Sequence, residues 1–246
     1  HRDLHSFPTR RSSDLELALT DHGVLFGGIE FYKACVARGI NPIIGCEVYV
    51  APRTLLDKEA GKDSRPYHLI LLAENNEGYR NLSKIVSKGF IDGFYYKPRI
   101  DHDTLRRYRE GIICLSACIA GEIPRAVLEE QPARAEALCE TYIDIFGKDH
   151  FFLEIQDHRL SKEAKVREFL FHLADKYGIG LAATNDCHYV RQDDYEAHDV
   201  LLCIGTGSTV DETDRMRYAN DQFYLKSPEE KVRRSEERRV GKECRS

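Results

Sequence analysis

Six short apolar runs, at residues 17–20, 43–50, 68–73, 111–116, 151–155 and 180–184, alternate with stretches whose apolar residues recur at helical spacing. Runs this short suit strands, and the longer periodic stretches suit helices, here over 28–38, 76–88, 103–108, 122–129, 132–146, 162–177 and 193–204. Gly39, Asn41-Pro42 and Gly89 fall where elements should stop, and a polar cap opens the helix at 76. Alternation of strand and helix predicts an α/β domain with a parallel sheet and right-handed crossovers. Residues 52–66 read as a polar loop, and residues 90–102, rich in Gly, Tyr and Lys, as an irregular one.

The two ends follow a different logic. Residues 234–246 can be written as DNA whose reverse complement, one frame over, encodes residues 3–15. That DNA has the look of a sequencing adapter joined to both ends of a fragment. Residues 1–14 and 234–246 are therefore expected to be translated adapter and are set aside from the fold. The tails carry +1 and +2 of formal charge, so the −5 of the whole chain becomes −8 between them. Such a balance argues against a broad nucleic-acid-binding face and leaves room only for local basic contacts. Seven cysteines remain, scattered and without a C-x-x-C pair, as expected for reduced thiols in a cytoplasmic protein. No apolar run approaches the ~18 residues of a membrane span.

Several chemistry-bearing residues fall where the expected strands begin or end, as active-site residues of βα barrels do. Asp186 and His188, two apart at the end of an extended run, project to one face, with Cys187 turned away. His22 follows a strand in Asp21-His22-Gly23, where Gly23 permits a tight turn. Glu47 interrupts the apolar run 43–50, and a carboxylate is costly to bury there unless paired or metal-bound. His68 precedes four apolar residues. Each has an ordinary reading beside the chemical one: a capping Asp with a surface His, a Glu paired with an Arg, a satisfied core His. Taken jointly, a His/carboxylate set suits Zn²⁺ or Mn²⁺, and phosphoester hydrolysis is the natural chemistry of such a site. Cys118, after the fourth strand, reads by itself as a buried structural thiol. The charged run Arg106-Arg107-Tyr108-Arg109 reads as a solvated helix face. The loop Phe94-Tyr95-Tyr96-Lys97-Pro98-Arg99 mixes rings with cations, which suits either contact with single-stranded nucleic acid or a packed surface loop.

These segments resemble a known family, the N-terminal polymerase-and-histidinol-phosphatase (PHP) domain of bacterial DNA polymerase III alpha subunits. The resemblance runs in order over residues 15–230. It is carried by Leu17-Ala18-Leu19-Thr20-Asp21-His22-Gly23, Ile43-Ile44-Gly45-Cys46-Glu47-Val48, His68-Leu69-Ile70-Leu71-Leu72 and Leu115-Ser116-Ala117-Cys118-Ile119-Ala120-Gly121-Glu122. Ala183-Thr184-Asn185-Asp186-Cys187-His188 and Gln222-Phe223-Tyr224-Leu225-Lys226-Ser227-Pro228 complete it.

The resemblance implies a distorted (β/α)7 PHP-type barrel with up to three divalent ions, Zn or Mn, on its rim. By position His22, Glu47, His68, Cys118, Asp186 and His188 match metal ligands, with Glu47 and Asp186 as the metal-bridging catalytic carboxylates. The family's opening His-x-His motif is not in this chain, so the barrel is expected to lack its first strand and about three ligands; His1 and His5 have the wrong spacing and lie in the adapter-like tail. The implied organisation is a PHP domain over 15–210 and the start of a connection toward a polymerase region over 211–233. The implied parent is a DNA-directed DNA polymerase working in DNA replication, with DNA, a sliding clamp and a proofreading subunit as partners and no membrane contact. The chain itself is expected to be inactive as a polymerase and weak or inactive as a nuclease. For the PHP site the resemblance leaves a metal-dependent 3′–5′ exonuclease or phosphoesterase, a non-catalytic scaffold, and a free-standing phosphatase as alternatives.

Overall fold

The computed structural model describes residues 16–227 and residue 230; both adapter-like tails, with His1 and His5, lie outside the described residues. Among the described residues there are eight strands: β1 (Glu16–Leu19), β2 (Asn41–Val50), β3 (Tyr67–Ala73), β4 (Phe94–Tyr95), β5 (Lys97–Ile100), β6 (Ile112–Leu115), β7 (Phe151–Ile155) and β8 (Gly180–Ala183). Among the described residues seven named α-helices are interspersed with them: α1 (Gly28–Val36), α2 (Asn76–Ile91), α3 (His102–Arg107), α4 (Glu122–Leu128), α5 (Pro132–Phe146), α6 (Ser161–Tyr177) and α7 (Tyr195–Thr206). They form a curled α/β sheet of the distorted barrel type, in the order β4-β5-β2-β3-β6-β7-β8, with β1 also on β2.

The sheet is not uniformly parallel, as the alternation had suggested. β1–β2, β2–β5, β6–β7 and β7–β8 are parallel, but β3 runs against both β2 and β6. The cause is the connection. Residues 51–66 carry no helix between β2 and β3, and without a helical crossover the chain returns antiparallel. The segment 90–102 also differs from its expected irregularity: β4 and β5 form a small antiparallel hairpin, whose second strand pairs with the end of β2 through Tyr49↔Arg99 and Val50↔Ile100.

The two faces of the sheet follow period-2 alternation. On one face Leu69, Leu71, Cys114, Phe151 and Leu153 pack in one cluster with Leu82 and Ile85 of α2 and Tyr142 and Ile145 of α5. On the other, Ile70 and Leu115 pack with Leu72, Ile113, Phe152 and Ala182. Glu47 stands opposite Ile70, and Glu154 lies two residues beyond Phe152, so both carboxylates share the parity of this second face.

Local chemistry fixes the helix starts. Asn75 Oδ1 accepts from Gly78 N at 3.0 Å, and Asp101 Oδ1 accepts from Thr104 N at 2.9 Å while its Oδ2 accepts from Leu55 N at 3.0 Å. Gly78 is there for space: a Cβ would run into the Gly111 carbonyl. Gly78→Ala should therefore destabilise the chain by about 2–3 kcal/mol, read as a lower urea midpoint at unchanged slope. α1 is unusual, because Ile29, Tyr32 and Val36 point to solvent, with Phe26 just ahead of them, while only Gly28 and Cys35 of the helix are buried.

Candidate metal centre

β2 supplies Glu47, 5% exposed in a stretch buried from Gly45 onward. The turn after β1 is tied directly to it: Glu47 N donates to Asp21 O at 3.0 Å and Gly23 N donates to Glu47 O at 2.8 Å, so His22 is held alongside Glu47. Gly23 adopts φ 71°, a conformation that disfavours other residues, and a Cβ there would meet Pro98 and the Tyr49 ring.

His68 reaches the same place because β3 is antiparallel. It is the second residue of β3 and stands opposite Tyr49, near the end of β2, so a strand start and a strand end meet at one rim. The turn from Leu115 to Gly121 then carries Cys118 in. His68 N donates to Ala120 O at 3.1 Å, and Ala117 takes φ 62°.

The resulting geometry is tight. Glu47 Oε1 is 2.9 Å from His68 Nδ1 and 3.4 Å from His22 Nε2, and Cys118 Sγ is 3.6 Å from His68 Nδ1. One ligand atom each from Glu47, His68 and Cys118 lies within 4.8 Å of the others, a group able to hold a metal ion. The His22 ring stands 6.4 Å from that of His68 and 5.9 Å from that of His188. His188 Nδ1 is turned toward its own loop, 3.1 Å from Asp186 O and 3.5 Å from Asp186 Oδ1. The six residues singled out in the sequence thus gather at one rim, three in a compact group, His22 beside it, and His188 and Asp186 on the far side.

Two observations test whether a cation fits. Glu47 Oε1 is buried yet has no aligned hydrogen-bond donor among the described residues, despite two imidazole nitrogens close by. The ligand atoms of Glu47, His68 and Cys118 face one another across a gap of at most 4.8 Å. Burial, with the charges of Asp186, Glu47 and Glu154, also drives the Cys118 thiol far above its ordinary range. A thiolate ligand at this position needs a cation to offset those carboxylates. Carboxylate, imidazole and thiol together suit a Zn-type ion.

Three contributors escaped the sequence reading. Glu154 on β7 is 5% exposed, with Oε2 lacking a hydrogen-bond partner among the described residues. Its Oε1 accepts from Thr184 Oγ1 and, at 3.0 Å, from Gln156 Nε2. Burial pushes its carboxyl up to about 7, with Asp186 and Glu47 adding to the rise. The signal was present: a lone carboxylate in the apolar run Phe151-Phe152-Leu153-Glu154-Ile155, the pattern that marked Glu47. Tyr218 left no such signal. Its ring lies 4.6 Å from His188, and burial together with Asp186 and Glu47 raises its hydroxyl well above the phenol range. The third is the strap 222–226. Phe223 O accepts from His188 N at 2.8 Å, Asn185 Nδ2 donates to Tyr224 O at 2.6 Å, and Lys226 Nζ donates to Asn185 Oδ1 at 2.7 Å. Segments distant in sequence therefore brace the Asp186–His188 loop.

Comparison with known proteins adds a frame. The family model for the PHP domain matches residues 14–158, which include His22, Glu47, His68, Cys118 and Glu154 and stop short of Asp186. The chain is 49% identical over 214 residues to the DNA polymerase III subunit alpha of Treponema pallidum, covering 87% of this chain and 18% of that protein. It is 48% identical over 219 residues to the subunit of the same name from Thermus aquaticus, covering 88% and 18%. With the Borreliella burgdorferi subunit the identity is 45% over 215 residues, covering 87% and 19%. The chain thus spans about a fifth of the length of these relatives.

Proposed function

The chain belongs to the PHP domain family, and from that premise we propose that it is the PHP portion of a replicative DNA polymerase III alpha subunit whose rim site is a metal-dependent phosphodiesterase, acting as a 3′–5′ exonuclease. The observation that carries this reading is the gathering of Glu47, His68 and Cys118 around a buried carboxylate oxygen that no aligned donor among the described residues satisfies. The relatives' name supports DNA as the substrate class; a sliding clamp and a proofreading subunit, met in the cytoplasm, are the partners this reading carries. Among the described residues no helix is long and apolar enough to cross a membrane.

Zn²⁺ or Mn²⁺, up to three ions in a complete site, would supply Lewis acidity toward a phosphoryl oxygen and lower the pKa of water. Glu47, His68 and Cys118 would hold one ion, with His22, Asp186 and His188 placed for others. Glu47 and Asp186 supply the carboxylates closest to the chemistry. Tyr218 and the strap residue Phe223 flank His188 and exclude water from that side. Glu154, titrating near neutrality, can hold a proton on Oε2 behind the ligands.

The test uses the metal-stripped chain titrated with Zn²⁺ or Mn²⁺, with bound metal and phosphodiester hydrolysis read together. His68→Ala should weaken metal binding about 100-fold, and His188→Ala should lower hydrolysis with the fold retained by circular dichroism. A chain that takes up no metal would refute the reading.

One observation favours a second role, a scaffold that steadies the polymerase or docks a proofreading subunit. Phe26, Ile29, Tyr32 and Val36 expose a continuous apolar stripe along α1. A metal-free, inactive chain that still binds the rest of the replicase would support it.

A further inference from the structure

We propose that the β4–β5 hairpin is a landing edge for the single-stranded end of a nucleic acid, with Lys97 taking a backbone phosphate and the rings of Phe94 and Tyr96 taking bases. The side on which the strand's end lies rests on the phosphodiesterase reading; the binding itself does not.

The hairpin displays what most loops hide. Phe94 is 49% exposed and Tyr96 68% exposed, with Phe90 beside Phe94 at 6.1 Å between ring centroids. Tyr96 is held at φ 60°, a region non-glycine residues seldom adopt, which sets its ring at the tip.

The mount beneath is rigid. Arg99 is fully buried and donates to the carbonyls of Gly93 at 3.0 Å, Asp63 at 3.1 Å, Leu55 at 3.3 Å and Asp57 at 2.8 Å. Its guanidinium also lies 5.1 Å from the centroid of Tyr95, whose ring stands 4.6 Å from that of Tyr96. Arg99 is therefore spent on structure, and Lys97 is the hairpin's available cation. A pre-set ring platform loses little entropy when a base stacks on it.

Position ties the hairpin to the metal centre. Lys97 Nζ sits 5.4 Å above the Tyr49 ring, and it forms no ion pair among the described residues. The Tyr49 ring meets His68 edge-on at 5.4 Å. One aromatic ring thus separates a free ammonium from a candidate metal ligand. An anionic polymer with stackable faces matches this combination: cations take the backbone and rings take bases without regard to sequence.

The experiment is fluorescence anisotropy with the full chain and a 5′-labelled oligothymidylate of about 12 nucleotides, its terminal linkages phosphorothioate to resist cleavage. Lys97→Ala and Tyr96→Ala should each raise Kd about ten-fold, and Lys97→Ala should reduce the salt slope by about one. Lys97→Arg should keep most of the affinity, and Lys148→Ala, on the exposed surface elsewhere, should bind as the parent. Hydrolysis of bis(4-nitrophenyl) phosphate is followed in parallel with the parent chain as the separate readout of the phosphodiesterase reading, and Lys148→Ala should leave it unchanged. Failure of the parent chain to bind the strand, or parental binding by Lys97→Ala and Tyr96→Ala, would overturn the proposal. Strand binding that depends on the hairpin, without any ester hydrolysis, would uphold it while refuting the phosphodiesterase reading alone.

Discussion

Glu47→Gln should abolish metal uptake at the compact group, lower phosphodiester hydrolysis about 100-fold or more, and yet make the metal-free chain more stable. The last effect separates a metal ligand from a structural residue. In the metal-free chain Glu47 is a buried carboxylate whose Oε1 has no aligned donor among the described residues, and its charge adds to the strain on Cys118, Glu154 and Tyr218. A buried charge without full compensation costs several kcal/mol, whereas the isosteric amide costs far less. Metal-free Glu47→Gln should therefore gain about 1–2 kcal/mol, a few degrees in Tm. With metal at about a thousand times Kd the order reverses, because the wild type gains about 4 kcal/mol from binding that the variant cannot match. Thermal denaturation of both proteins, with chelator and with added metal, reads the crossing. A variant less stable than wild type under both conditions would mean that Glu47 is held by its neighbours as an ordinary ion pair.

Much of this was legible in the chain because it is local. The apolar runs and their punctuation placed the main strands and helices within a few residues, and Asn75 and Asp101 cap because their side chains reach the next turn. The direction of β3 was not legible. A half-buried strand has the same alternation whichever way it runs, and only the helix-free connection over 51–66 decides. The hairpin was hidden for a related reason: β4 is two residues long, and β5 contains Pro98 and the buried Arg99, so neither has strand composition. For the site, residue types pointed to His22, Glu47, His68, Asp186 and His188, while Cys118 came from family resemblance. Their separations could not be read, since they depend on β3 turning back to bring His68 beside Glu47. Tyr218 and Phe223 reach His188 only through the return of the chain after α7. Glu154 is different. Its signal was present, and what hid it was the absence of any local sign of which face it occupies.

That carboxylate gives the second large effect, a loss of stability of the metal-free chain as pH rises from about 4.5 to 7. Glu154 is raised from its ordinary 4.5 to about 7, first by burial and then by Asp186 and Glu47, while its bonds to Thr184 and Gln156 work the other way. Between those two values the unfolded chain releases this proton and the folded chain keeps it. The folded state therefore binds more protons, so stability falls with pH across the window: the contribution is intact below 4.5 and gone above 7. The loss amounts to about 3 kcal/mol. The quantity to measure is the difference between wild type and Glu154→Gln, in which the contributions of other groups cancel. Gln keeps an oxygen for Thr184 and Gln156 but carries no charge. Its urea-derived stability should match wild type near pH 4.5 and exceed it by a growing margin up to pH 7, where the margin levels off. Asp63, held near 2 by Arg53, titrates below this window and leaves the difference untouched. Bound metal should shrink the margin, because a cation beside Glu47 and Asp186 offsets the charges that burden Glu154. Curves that stay parallel from pH 4.5 to 8 would mean that Glu154 is ionised in the folded chain throughout, with water or a cation reaching its Oε2.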